Sequence, residues 1–255
     1  MAQRPDRTPL TGSTLVRLLA GLIDPQQRVH DSRMSFADAL NQWTGWTESI
    51  ALSKALDRPL AAAPLPAAPG DAPGRLVECT AEYDRVRALL AQAIAREVDA
   101  AGRGPLDAGM GFAPFRHCLQ SRQQAMEIAI GPLRERVRGA LADCGGEAAR
   151  LAAVDAVMAE VLAAQERRLL ATLAPMLGRH FERLCAAVPA EAGPSDPLPA
   201  GEEDAAVAGT AEADTHRDWF RLDLQALLLA ELELRLQPVL GLLAALRHHS
   251  TQGGS

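Results

Sequence analysis

The sequence predicts an all-α protein: a helical bundle with a long central coiled-coil-like helical hairpin and two disordered linkers. Three observations predict it. Apolar residues make up 48% of the 255 residues but aromatic ones only 4%, so the core material is mainly Ala and Leu, the residues that lose least freedom in a helix. The alternating β-branched or aromatic runs that a half-buried strand needs are missing. Apolar residues recur instead three and four positions apart, the spacing of one helix face.

The elements follow in order. Thr11-Gly12-Ser13-Thr14 offers hydroxyl caps before an apolar run, so a short helix is expected from Ser13 to Ile23, stopped by Asp24-Pro25. A second helix, Ser35 to Leu56, carries Phe36, Leu40, Trp43 and Ile50 on one face and ends at Pro59. Together these form an N-terminal helical pair over residues 1–58. Residues 59–74, rich in Pro, Ala and Gly, read as a semi-rigid linker.

The central block, 75–187, opens with a helix from Thr80 to Ala101 whose stripe is Tyr83, Val86, Leu90, Ile94 and Val98, followed by a loop at Gly102 to Gly111. Two long helical patterns, Pro114 to Asp143 and Glu147 to Ala187, meet at 144–146, where Gly145 and Gly146 permit a left-handed helix end. In the first arm Leu119, Met126, Leu133 and Ala140 recur every seven residues, with Gln123, Ile130, Val137 and Cys144 four places after each. That is a coiled-coil-like seam with one polar core position, Gln123. The second arm shows Leu151, Val154, Met158, Val161, Leu169, Leu173, Met176 and Leu184. Folding back places Leu133 against Met158, Ile130 against Val161, and Phe115 near Met176. Pro132, Pro175 and Pro238 each remove a helix hydrogen bond, so kinks or breaks are expected there. Residues 188–214 read as an acidic disordered linker and 215–249 as a Leu-rich C-terminal helix.

Net charge is −6, yet the 188–214 stretch alone holds seven acids and no Lys or Arg, leaving the remainder nearly balanced. A balanced surface argues against strong non-specific nucleic-acid binding, which rests on excess positive charge. Arg134, Arg136 and Arg138, with Arg116, Arg122, Arg167 and Arg168, nevertheless make the hairpin the most basic part of the chain. They are candidates for a phosphate or acidic-partner surface, or, with Glu127, Glu135, Glu160 and Glu166 interspersed, simply solvated flanks. Leu222 to Leu246 is the most hydrophobic segment, but Asp223, Glu231, Glu233 and Arg235 interrupt it, so a buried or partner-facing helix is expected rather than a membrane span.

Catalytic signals are sparse. The cysteines Cys79, Cys118, Cys144 and Cys185 are scattered without a CxxC pair, which suits a reduced compartment. None of the six histidines has a second ligand at helical metal spacing, and no nucleophile elbow or phosphate-cradling loop is present. No metal or cofactor is therefore expected. Glu231 and Glu233 read as solvated flanks, Glu231 being placed to pair with Arg235 four residues on. Gly45, within NQWTGWTES, is expected to admit another backbone, and Trp43, Trp46, Trp219, Leu228 and Leu232 are the candidate packing or interface anchors. An apolar start broken by Arg17 gives no secretory signal, so a cytoplasmic protein is expected.

Five stretches, RTPLTGSTLVRLLAGLID (7–24), NQWTGWTESIALSKAL (41–56), QSRQQAMEIAIGPLRERVRGAL (120–141), AQERRLLATLAPMLGRHFERL (164–184) and LLLAELELRLQPVLGLLAAL (227–246), resemble an otherwise uncharacterised proteobacterial family. Its members are typically encoded beside MotA/MotB-like membrane proteins, and it looks like the ZorF component of type III Zorya anti-phage defence. The resemblance implies a cytosolic accessory protein, recruited to the inner membrane through a proton-driven motor or acting with a second soluble defence subunit. It carries over no catalytic residue. The expected function is thus a non-enzymatic adaptor of an anti-phage complex. The alternative is a nucleic-acid-binding effector using the Arg-bearing hairpin, and self-association is left open.

Overall fold

The structure, a computed structural model, describes residues 13–22, 34–57, 71–103, 111–186 and 202–252, with backbone alone at 36, 71–72, 202–215 and 252. Among the described residues there are eight helices and no strand: α1 (Thr14–Leu22), α2 (Phe36–Trp43), α3 (Trp46–Leu56), α4 (Asp71–Gly102), α5 (Ala113–Ala142), α6 (Gly146–Ala171), α7 (Leu173–Ala186) and α8 (Glu202–Gln252). The protein is all-α. Expected linker residues 59–70 and 188–201, and most of the loop after Gly102, lie outside the described residues.

Helix ends follow local chemistry. The Ser35 hydroxyl accepts the Asp38 amide at 3.1 Å and starts α2, satisfying one of the amides a first turn leaves without a partner. The helix expected to continue to Leu56 instead breaks at Thr44 and Gly45, both extended, and α3 begins at Trp46. Gly45 does not admit a backbone as expected. A Cβ there would stand 2.5 Å from the Glu48 carboxylate, which folds back over the start of α3. At the hairpin tip Gly145 and Gly146 take φ of 72° and 52°, the left-handed values the sequence calls for.

Two helices start earlier than expected. Helix α4 begins at Asp71 with Pro73 in its first turn, where a missing amide hydrogen costs nothing. Helix α8 begins at Glu202 rather than near 215. Alanine abounds between 202 and 214, and Glu202, Glu203 and Asp204 lead it, a composition that favours a helix start. The three prolines divide. Pro175 coincides with the break between α6 and α7, since it has no amide hydrogen for the carbonyl of Ala171. Pro132 and Pro238 sit within uninterrupted helices. The carbonyls they orphan belong to Ile128 and Leu234, both exposed residues where water is at hand.

The chain forms two compact units that cut across its order: Met1–Val29, Gln92–Gln123 and Thr172–Glu231 make the first, and His30–Ala91, Gln124–Ala171 and Leu232–Ser255 the second. Helix α1 therefore belongs to the first unit and α2 and α3 to the second.

The first unit has an aromatic core. Phe220 meets Phe115 at 4.9 Å and Phe181 at 5.1 Å between ring centroids, both edge-on, and Phe112 at 5.9 Å, the geometry that sets a positive ring edge against a negative face. Gly178 makes room for Phe112, whose ring would lie 3.2 Å from an added Cβ. On α7 the ring partner of Phe115 is Phe181, 5.8 Å away between centroids.

The second unit is aliphatic. Met126, Leu133 and Val137 are wholly buried, as the seven-residue repeat requires, and Ile130 and Ala140 are nearly so. Asp155 of α6 takes Arg134 at 2.6 Å and Arg138 at 3.0 Å from α5, and Arg167 reaches Glu127 at 4.0 Å. These links run antiparallel and bracket the Leu133–Met158 and Ile130–Val161 levels. The stripe on α6 differs from expectation: Leu151 and Leu169 are exposed, while their neighbours Ala152 and Leu170 are buried. The reason is that α6 also carries α2 and α3 on its surface, which turns its buried face by about one residue.

Candidate partner-binding surface

The anchor candidates separate cleanly by burial. Leu228 and Leu232 are buried to 0% and 1% exposure and serve the cores of their own units. Trp43 is half-buried at the end of α2. Trp46 and Trp219 are 82% and 54% exposed, so neither is the core residue that packing alone would make it. Each has an exposed aliphatic companion on its own helix face: Ile50 four residues after Trp46, and Leu222 three residues after Trp219. The Trp219 ring is held edge-on by His216, 5.4 Å away.

The candidate arginines are mostly engaged within the chain. In the second unit Arg134 and Arg138 share Asp155, and Arg134 binds it with two nitrogens at 2.6 and 3.0 Å. Arg136 pairs with Glu82 at 2.6 Å. In the first unit Arg122 pairs with Glu97 at 2.8 Å, and Arg116 lies over the Phe112 ring at 5.4 Å. Arg168 is exposed near the end of α6 with no recorded partner among the described residues, and Arg167 has only its long link to Glu127. Bidentate Arg–carboxylate pairs in half-buried positions hold the guanidinium in a fixed fork. A phosphate would have to displace Asp155 to use Arg134 or Arg138.

Glu231 departs from the solvated reading, whereas Glu233 keeps about half of its side chain exposed. Glu231 is fully buried and accepts a hydrogen bond from Gln123 at 3.1 Å. The polar position noted in the α5 seam thus has a polar counterpart, which avoids the cost of an unpaired buried carboxylate. Glu231 follows Leu227 and Leu228 by four and three residues, a spacing that already placed it on the buried face. Glu233 pairs with Arg87 at 2.6 Å, and Arg235 meets Glu166 at 3.3 Å. The Glu233 carboxylate raises the pKa of Arg87, chiefly through that hydrogen bond.

No group of three or more metal-ligating side chains comes together among the described residues. His180 pairs with Asp223 at 2.8 Å beside the Phe220 ring, a lone pair built into the aromatic core's edge. Burial raises the pKa of every thiol, most at Cys118, pushed up to about 11. Such thiols stay protonated at neutral pH and are poor nucleophiles. No helix among the described residues is long and apolar enough to cross a membrane.

No curated protein and no solved structure matches the chain. One family model does, over residues 1–248: the chain belongs to the DUF3348 family, described as proteins of unknown function.

Proposed function

We propose that the protein is a non-enzymatic adaptor that docks partner proteins through exposed apolar positions on its helices. The observation that carries this reading is the pair of exposed tryptophans, Trp46 and Trp219, each beside an exposed aliphatic residue. Tryptophan is the residue type most enriched among binding hot spots, because one side chain supplies a large apolar area with little rotamer freedom to lose. The resemblance of the sequence to a ZorF-like family makes the partner a MotA/MotB-like membrane motor or a second soluble subunit of an anti-phage complex, met in the cytoplasm. The Leu-rich face of α8 is not the docking element, since Leu228 and Leu232 are spent on internal packing.

The test is co-purification of the tagged full chain with the products of its adjacent genes. Wild type retains at least one of them, and Trp46→Ala or Trp219→Ala releases it. Retention of none by wild type would end the adaptor reading. A second reading, a nucleic-acid effector, is favoured by Arg167 and Arg168, the least neutralised of the hairpin arginines. It calls for binding that weakens steeply as salt rises.

A further inference from the structure

We infer that the outer face of the C-terminal part of α8, from Glu233 to Arg247, is a self-association surface that takes a second copy of this chain, with the two helices antiparallel. It lies outside the positions that the adaptor reading uses.

Leu236, Val239, Leu243 and Leu246 bury the inner face of this stretch. On the outer face Leu234 and Leu240 are 39% and 37% exposed, and Gln237, Gly241 and Ala244 are exposed with them. Spaced three and four residues apart, they line one strip. The only charged residue between Leu234 and Ala244 is Arg235, which is turned inward to Glu166. An added Cβ at Gly241 would meet nothing within 4 Å, so another helix can approach closely there.

The two ends of the strip carry opposite charge. At one end Glu233 and Asp84 of α4 share a single cation, Arg87. Glu233 binds Arg87 at 2.6 Å, while Asp84, exposed and three residues before Arg87, makes no hydrogen bond or ion pair among the described residues. One negative charge is left over. At the other end the exposed Arg247 side chain likewise makes no hydrogen bond or ion pair among the described residues. Glu233 and Arg247 stand on the same face, about 21 Å apart along the axis, with Leu240 midway between them. A two-fold rotation about Leu240 therefore lays strip on strip and brings each Arg247 to the other copy's Glu233 and Asp84, so that every contact is made twice. Parallel pairing would set Arg247 against Arg247. A charge pattern that reverses about its own midpoint matches itself, which singles out a second copy over an unrelated helix. One strip of this length buries an area near the small end of specific interfaces, about 1,000 Å² in total, so the dimer should form with a Kd on the order of 10 μM.

The experiment is sedimentation velocity of the full chain from about 1 to about 200 μM, a range that brackets such a Kd. Wild type passes from monomer to dimer across it. Arg247→Glu and Asp84→Arg each weaken the dimer at least tenfold, because each sets like charges together twice, and the two combined restore wild-type association. Leu240→Arg abolishes the dimer, and Trp219→Ala leaves it unchanged. Circular dichroism of each variant should match wild type, since all of these side chains are exposed. A chain that stays monomeric throughout would overturn the proposal and leave the strip to a different protein. So would a dimer that Arg247→Glu and Leu240→Arg leave intact, or a double variant no better than either single one.

Discussion

The two compact units solve the same packing problem with different materials. Four of the five phenylalanines in the chain, Phe112, Phe115, Phe181 and Phe220, meet in the first unit. The second relies on Leu, Ile, Val and Met layers, bordered by Arg134, Arg136 and Arg138 on Asp155 and Glu82. An aromatic cluster concentrates its stabilisation in a few large side chains, whereas aliphatic layers spread it along whole helices. The first unit should therefore be vulnerable at single points, and the second should tolerate most single changes except at its shared carboxylate.

The sharpest way to break this contrast is Phe220→Ala. Phe220 touches Phe112, Phe115, Phe181 and His180, so the cavity left behind should cost about 4 kcal/mol. Denaturant unfolding gives the total, and hydrogen exchange should place the loss first in peptides from 92–123 and 172–231. Uniform loss of protection across both units would contradict the division.

Asp155→Ala comes next. It strands two half-buried guanidinium groups, and the expected cost is about 2 kcal/mol, between that of an exposed pair and that of a fully buried one. Its exchange signature belongs to peptides of α5 and α6. In the double variant with Arg134→Ala the cost should be less than additive, because the two groups act together.

A smaller effect appears only at high pH. The Cys118 thiol is lifted from an ordinary 9.0 to about 11, first by burial and then by Glu97. Its folded-state pKa lies above the unfolded one, so the stability it contributes is intact below pH 9 and is lost as pH rises towards 11. Iodoacetamide labelling followed by mass spectrometry should find Cys118 the slowest of the four thiols. Its folded-state rate should climb only near pH 11. The smallest effect is expected at Arg87→Ala. Its pair with Glu233 is half exposed, so the change should cost less than about 1 kcal/mol and shrink further in salt.

Much of this was legible in the sequence, and the parts that were not share a cause. Periodicity located the α5 seam, the α4 stripe and the Gly145–Gly146 turn because each is a local pattern with a local reason. The polar seam position at Gln123 was visible too. The burial of its partner, Glu231, departs from the solvated expectation, although its spacing to Leu227 and Leu228 puts it on the buried face. The one-residue turn of the α6 stripe could not be read, since it depends on α2 and α3 covering that helix. The hairpin arginines were visible as a basic group, but the carboxylates that engage them, Glu82, Glu97 and Asp155, lie 17 to 54 residues away in sequence and are joined only by the fold. The exposure of Trp46 and Trp219 is likewise a property of packing, which leaves them outside both cores.

The account's central claim is that the arginines of the hairpin are engaged internally and the tryptophans face partners. Salt-titrated polarisation of the purified chain against single- and double-stranded DNA, with Arg134→Ala, Arg136→Ala and Arg138→Ala combined in one variant, tests it most directly. The account expects no saturable binding at physiological salt and no difference between variant and wild type. Tight binding that falls steeply with salt and is lost in the triple variant would contradict it, and would make the hairpin the functional surface.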